Sequence, residues 1–395
     1  MTKPSKPSVD RICVRPDLPL PEPTAPLTAP IQPTSVWRCE TTAQADALLG
    51  GELSGYVYQR DGHPNADQLA ERIRELHGAE RAAMLSSGMA ALAAVVLSQL
   101  RSGDHLVVSD QLYGRSSLLL EQETERLGMT HTAVNICDLD AVAAAMLPET
   151  RLIVAETLAN PRLRCADIPQ LAELAHKNEA LLLVDNTFAT PALCQPLRWG
   201  ADIVMESVSK MMNGHSDVML GALCGKQRDW ERMARVIGAW GLASSPFDCW
   251  LASRGLATMA LRMDRACASA LAVAEHLQQH AAVAAVDYPL LPEHPDAELA
   301  ARLCNGKGGS IVTLHLHGGR EAADRFIRQA TDIPFCPSLG EICTTVSHPA
   351  STSHRGLTEP QREKLGISGG TLRLSIGLEQ ADELLQFIDR GLASE

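Results

Sequence analysis

Leu69, Ile73 and Leu76 recur at three- and four-residue spacing between polar positions, which predicts an amphipathic helix ending at Gly78. "AAML" then reads as a short strand, and "SSGMAALAAVVLSQL" as a helix apolar on several sides, hence buried. The alternation continues: "HLVVSD" a strand, "LLLEQETERLG" a helix, "RLIVAET" a strand, "IPQLAELAHKN" a helix, then "ALLLVDNTF" and "DIVMES" as strands. Strands that are continuously apolar and alternate with helices predict an α/β domain whose mostly parallel sheet is covered on both faces. After "FDCWLASRGLATMALRM" the character changes. A long helix to about His280 leads into a smaller C-terminal α/β region, with strands at "GSIVTLHLH" and "TLRLSIGLE" and a helix at "ADELLQFIDRGL". The expected division is an arm over 1–50, a large domain over 51–245 and a small domain over 246–395.

Nine of the 23 prolines fall within the first 33 residues, densest in "DLPLPEPTAPLTAP". Such a stretch favours extended, solvated backbone over helix. It is expected to lie as an arm along the rest of the protein or a neighbouring subunit.

Composition narrows the function classes. Over 395 residues, 45% are hydrophobic and 21% charged, and the net charge of −12 comes from scattered acidic residues. With no basic face, neither nucleic acid nor an anionic membrane is expected as a primary partner. The longest apolar stretch, Met89 to Leu97, is too short to span a bilayer, and no apolar segment follows the N-terminal lysines. A cytoplasmic location is the expectation. The eleven cysteines stand singly without a CxxC pair, so neither a disulfide framework nor a metal site is expected.

In a sheet of this kind ligands sit beyond the carboxyl ends of the strands. The polar residues just after each apolar run are therefore the functional candidates: 86–88, 110–113, 156–160, 185–187 and 207–210. No GxGxxG follows the first strand and no GxxxxGK[ST] occurs, which removes support for a nicotinamide or NTPase site. At "SSGMAA", Ser87, Gly88 and Met89 open a helix directly after a strand, aiming free N–H groups and the positive helix end at one point. Serine and glycine also cap helices for no functional reason. Asp185 closes "LLLVD", where a carboxylate needs a cationic or hydrogen-bonding partner or serves as a turn residue. Lys210 ends the next run; a partly desolvated lysine is a nucleophile towards carbonyl groups, although an isolated one is more often half of an ion pair. Together on one sheet edge, an anion site, a carboxylate and a lysine are what pyridoxal phosphate (PLP) requires.

The chain also resembles a known family on "YQRDGHPN", "LHGAERAAMLSSGMAAL", "GDHLVVSDQLYG", "ETLANP", "LLLVDNTFATP", "SVSKMMNGHSDVMLG", "SPFDCWLASRGLATMALRM", "SLG", "HPASTSH" and "LRLSIGLE". In this order they resemble the Cys/Met-metabolism PLP-dependent enzymes, the trans-sulfuration group of cystathionine γ-synthase, cystathionine γ- and β-lyases, methionine γ-lyase and O-acetylhomoserine sulfhydrylase. The resemblance runs from about Gly55 to the C-terminus and implies the fold of the aspartate aminotransferase-like, type I PLP enzymes.

By this resemblance Lys210 is the Schiff-base lysine and moves protons, Asp185 pairs with the pyridinium nitrogen, and Thr187 lies beside the ring. Gly88 and Met89 bind the phosphate, with Ser207 and Ser209 adding hydroxyls; on an extended segment residues two apart face the same way, so both could reach one anion. Tyr113 stacks on the ring and acts as a base, and Asn160 meets the ring's phenolic oxygen. Tyr58 and Arg60 reach across a subunit interface to the neighbouring phosphate, which implies a homodimer and, in the family's usual form, a tetramer. Arg373 grips the substrate α-carboxylate, with Ser338 lining the same pocket. The expected reaction is elimination or replacement at the γ carbon of a sulfur-containing or O-acylated amino acid. Alternatives are β elimination, sulfhydrylation, transamination, or a non-catalytic binding protein on the same fold.

The chain departs from the family's pattern at His63, Arg115 and Cys343. These are expected around the entrance and substrate side of the site, and Arg115 could recognise an acidic leaving group such as a succinyl or phosphate ester.

Overall fold

The computed structural model describes residues 8–14, 26–227 and 230–393. The proline-rich stretch over residues 15–25 lies outside them. Before it, Val9–Val14 is helical, and its Ile12 and Cys13 are buried in the main core. The expectation of an extended arm therefore does not hold for this turn.

Among the described residues eleven strands form two sheets. The larger comprises β1 (Arg81–Leu85), β2 (His105–Ser109), β3 (Thr130–Val134), β4 (Thr150–Glu156), β5 (Leu181–Asp185), β6 (Ile203–Glu206) and β7 (Gly221–Gly225). Their order is β1-β7-β6-β5-β4-β2-β3. All pairings from β6 to β3 are parallel, whereas β7 runs antiparallel between β6 and β1. β1 thus points the same way as β2 to β6, and the carboxyl ends of all six lie on one edge.

Continuous apolar runs make the central strands. Leu182, Leu183 and Val184 of β5 are fully buried because helices cover both faces. On one face the helix Pro64–His77 turns Leu69, Ile73 and Leu76 inward, all at 0% exposure, and such burial stabilises by about 1.5–3 kcal/mol per side chain. On the other, the helix Gly88–Gln99 packs Leu92, Val95 and Val96.

The second sheet holds β8 (Val283–Asp287), β9 (Ile311–Leu316), β10 (Thr345–Ser347) and β11 (Thr371–Ser375) in the order β10-β11-β9-β8, antiparallel throughout. Helices Gly319–Gln329 and Ala381–Leu392 pack on it through Phe326, Leu384 and Ile388. The expected strands and closing helix are present, as is the mostly parallel large sheet.

Four strands were not among those expected from the sequence. β3 is a half-exposed edge, β7 consists of small residues, β8 is half-buried and β10 has only three residues. The long helix is also two, Pro246–Leu256 and Met259–Gln278. No described helix is long and apolar enough to cross a membrane.

Candidate active site

The carboxyl ends of β1, β4, β5 and β6 carry most of the candidate residues. After β1, Ser87 is the N-cap of the helix Gly88–Gln99, its Oγ accepting the Ala90 N–H at 3.0 Å. Capping and anion binding are therefore compatible, because the Gly88 and Met89 N–H groups ahead of it are ones a helix leaves without internal acceptors. A Cβ at Gly88 would lie 3.0 Å from Ser207 Cβ and 3.2 Å from its Oγ, and a Cβ at Gly221 would lie 2.1 Å from Ser87 O. Only glycine lets these segments close into a cradle of N–H groups beside the Ser207 hydroxyl.

Asp185 ends β5 half-buried, and its Oδ1 accepts both the N–H (3.0 Å) and the hydroxyl (2.5 Å) of Thr187. Thr187 Oγ1 also accepts the Ser207 N–H at 2.8 Å. One hydroxyl thereby ties the carboxylate to the cradle. Burial pushes Asp185 up to about 6, partly offset by the Thr187 bonds. Among the described residues Oδ2 receives no hydrogen bond, which leaves it for a donor such as a protonated ring nitrogen.

Lys210 follows β6 in a turn, its N–H bonded to Ser207 O at 3.0 Å. Segment 207–210 is thus not extended, and the two-apart argument for both serines fails. The Ser209 hydroxyl instead donates to Leu220 O and accepts from Leu220 N, at 3.2 and 2.9 Å. It fastens the turn to the start of β7 and leaves Ser207 facing Gly88. Arg262 holds the far side, its guanidinium donating to Met211 O and Met212 O at 2.7 and 2.9 Å. Lys210 Nζ bonds Ser338 Oγ at 3.0 Å, and burial lowers its affinity for a proton.

The second sheet supplies the other wall. Arg373, 4% exposed on β11, donates to Asn160 Oδ1 at 2.8 Å and to the Ser338 carbonyl at 3.0 Å, while its buried Nε has no partner. Burial pushes it down to about 10. An orphaned guanidinium N–H beside a lysine fits an incoming carboxylate.

Two acids went unassigned in the sequence. Glu156 closes β4 buried and accepts the backbone N–H groups of both Tyr113 (2.6 Å) and Asn160 (3.2 Å). It positions two candidates at once. Burial and then the Asp185 charge push it up to about 8. The signal was present, since Glu156 ends an apolar run as Asp185 does. Glu156→Gln keeps one acceptor oxygen and loses the other, so kcat should fall about tenfold, read by steady-state kinetics. Glu341 is the other. It is the acid whose charge acts on both Lys210 and Arg373, and its Oε2 is buried without a partner.

Some candidates stand apart. Cys343 is exposed, so the acid facing the lysine sits two positions earlier. His63 is not at an entrance: it is 1% exposed and caps the helix Pro64–His77, Nδ1 accepting from Ala66 N at 3.1 Å. Arg115 and the Tyr113 ring are exposed. Tyr58 and Arg60 stack on each other at the surface, 5.0 Å from guanidinium carbon to ring centroid. All eleven cysteines are free thiols, and among the described residues no group of His, Cys, Asp and Glu could hold a metal ion.

Comparison with known proteins identifies the family. The family described as Cys/Met metabolism PLP-dependent enzyme matches residues 12–393. An L-methionine gamma-lyase of Porphyromonas gingivalis is 38% identical over 93% of each chain. An O-succinylhomoserine sulfhydrylase of Pseudomonas aeruginosa is 40% identical over 91% of this chain and 89% of its own. A putative O-acetylhomoserine (thiol)-lyase of Campylobacter jejuni, solved with a pyridoxyl-lysine monophosphate, superposes with a TM-score of 0.93 at 26% identity, over 98% of this chain and 100% of its own. Matched over nearly its whole length, and 38–40% identical to the first two of these relatives, the chain belongs to the Cys/Met metabolism PLP-dependent enzyme family.

Proposed function

We propose that this protein eliminates or replaces the γ substituent of a sulfur-containing or O-acylated amino acid, with PLP held covalently by Lys210. The observation that carries the reading is the junction at Ser338, where Lys210 Nζ meets its hydroxyl and Arg373 its carbonyl. A lysine for covalent and proton chemistry and an arginine for a carboxylate are thereby held side by side.

When bound, the cofactor acts as an electron sink for negative charge at the substrate's α carbon. The Gly88 and Met89 N–H groups and the Ser207 hydroxyl bind its phosphate. The Asp185 carboxylate partners its ring nitrogen, and Thr187 fixes that carboxylate's orientation. Arg373 orients the substrate by its α-carboxylate, which presents the α proton to the Lys210 amine. Desolvation favours the neutral amine, the form that can accept that proton. Tyr113, held by Glu156 at its backbone, covers the site from the open side and takes a proton from the incoming ammonium group. Asn160, whose Oδ1 accepts from Arg373 at 2.8 Å, would meet the ring's phenolic oxygen.

Tyr58 and Arg60 are exposed within one chain and serve the phosphate of a second copy, so a homodimer is the smallest active assembly and a tetramer its doubled form. The large domain spans 51–245 and the small domain 246–395.

The test offers the holoenzyme cystathionine, methionine, homocysteine, cysteine and O-acylated homoserines. Release of 2-oxobutanoate, or capture of an added thiol as a thioether, supports γ chemistry. Pyruvate alone moves the assignment to β elimination, and pyridoxamine phosphate without either keto acid overturns it. Arg115, exposed two residues after Tyr113, would favour an acidic leaving group. Arg115→Ala should lower kcat/KM for O-succinylhomoserine roughly threefold while leaving O-acetylhomoserine unchanged, the scale of one exposed ion pair.

A further inference from the structure

A cavity of about 230 Å³ lies beyond the carboxyl ends of β2, β3 and β4, on the sheet edge that carries Lys210 but further towards β3. The large sheet contributes Asp110 and Gln111, which directly follow β2, and Asn135, which directly follows β3. The loop after β4 contributes Arg162 and Arg164, and Lys364 closes the cavity from the end of the helix Glu359–Lys364. None of the residues assigned to cofactor or substrate lines it. Its volume is below the roughly 300–1,000 Å³ of pockets for drug-sized ligands, so it suits a smaller molecule.

Much of the charge around it is already paired. Arg162 donates Nε and Nη2 to the two Asp287 carboxylate oxygens at 3.1 and 2.9 Å, and Arg164 does the same to Asp296 at 2.6 and 3.1 Å. Each fork occupies one edge of its guanidinium, and among the described residues neither Nη1 has an acceptor. A Cβ at Gly366 would collide with Arg162 Nη1, which places that free edge against the segment carrying Lys364.

What stays unpaired is one charge of each sign. Among the described residues Lys364 has no ion-pair partner, and the Asp110 carboxylate accepts no hydrogen bond although its Oδ1 is buried. A buried carboxylate oxygen needs a donor, and a lysine beside a bare guanidinium edge needs an acceptor. A small molecule bearing both an ammonium and a carboxylate meets the two needs at once. A simple anion such as phosphate would instead face Asp110 with like charge.

We propose that this cavity is a second amino-acid site, separate from the Lys210 centre, which takes a free α-amino acid as its zwitterion. The ammonium group goes to Asp110, and the carboxylate to Lys364 and the Nη1 groups of Arg162 and Arg164. Pro295 and Leu365 line the cavity for a short apolar side chain. Binding here is independent of the reaction run at Lys210. The two sites nevertheless share loops, since Gln111 stands two residues before Tyr113 and Arg162 two after Asn160.

The experiment is equilibrium dialysis of labelled L-methionine against borohydride-reduced holoprotein, in which the cofactor is fixed and no substrate turns over, with thermal unfolding as a check on each variant. One methionine per chain is expected to bind, and to stay bound in Arg373→Ala, which removes the carboxylate grip of the catalytic centre. Asp110→Asn should weaken binding about tenfold, the scale of one charge-assisted hydrogen bond. Lys364→Ala, at an exposed position, should weaken it about threefold. N-acetylmethionine, without the ammonium, and methionine amide, without the carboxylate, should not displace the label. Displacement by N-acetylmethionine or inorganic phosphate as strong as by methionine would make this an anion site and overturn the proposal. Binding that is absent, or that vanishes in a folded Arg373→Ala, overturns it as well. Should Arg373→Ala or Asp110→Asn fail to fold, Lys364→Ala decides alone, and binding unmoved there overturns the site.

Discussion

Lys210→Ala should abolish borohydride-reducible attachment of the cofactor and lower turnover by about ten-thousandfold, the upper range for removing a positioned acid–base group. The loss is chemical and not structural. The cradle at Gly88 and Ser207 does not depend on the lysine side chain, and the turn after β6 is held by Ser209 on Leu220 and by Arg262 on the Met211 and Met212 carbonyls. The variant should fold, keep cofactor non-covalently and lack the linkage, as intact mass after reduction will show. Normal turnover, or a reduced adduct on another lysine, would sink the assignment.

Arg373→Ala should lower kcat/KM by about 100-fold or more, mostly through KM, because charged hydrogen bonds to a carboxylate contribute about 1.5–3 kcal/mol each. The same change strips donors from Asn160 Oδ1 and the Ser338 carbonyl, now bonded at 2.8 and 3.0 Å. Part of the loss will therefore come from a loosened wall. Arg373→Lys separates the two effects: it restores the charge but not the fork, so it should recover only part of the binding. Steady-state kinetics with visible absorbance decide the matter. An unchanged KM in Arg373→Ala, with cofactor still bound, would remove this residue from substrate recognition.

The central strands, the aspartate closing β5 and the lysine after β6 were legible in the sequence because each rests on a local rule, whereas Arg373, in the middle of β11, stood out only through the family resemblance. A buried parallel strand is a run of apolar residues, and a charge closing such a run stands out. What was not legible depends on partners distant in the chain. β7, "GALCG", carries no strand signal of its own and exists because β1 and β6 flank it. Ser209 looked equivalent to Ser207 until the turn at Lys210 sent its hydroxyl to Leu220. His63 stood out as a departure from a pattern, although its place is that of a helix cap. Glu341 acts on Lys210 from 131 positions along the chain, and no spacing rule connects them.

The antiparallel course of β7 has a consequence for how such a site can be moved or copied. By returning between β6 and β1 it brings Gly221 against Ser87 and Gly88, while Leu220 fastens the turn that carries the lysine. The anion cradle is thus assembled from three stretches of chain, and "SSGMAA" is not a portable module. Transplanted to another strand, the motif would keep its serine cap and its free N–H groups. It would arrive without the serine that faces them and without the strand that pins the turn following that serine.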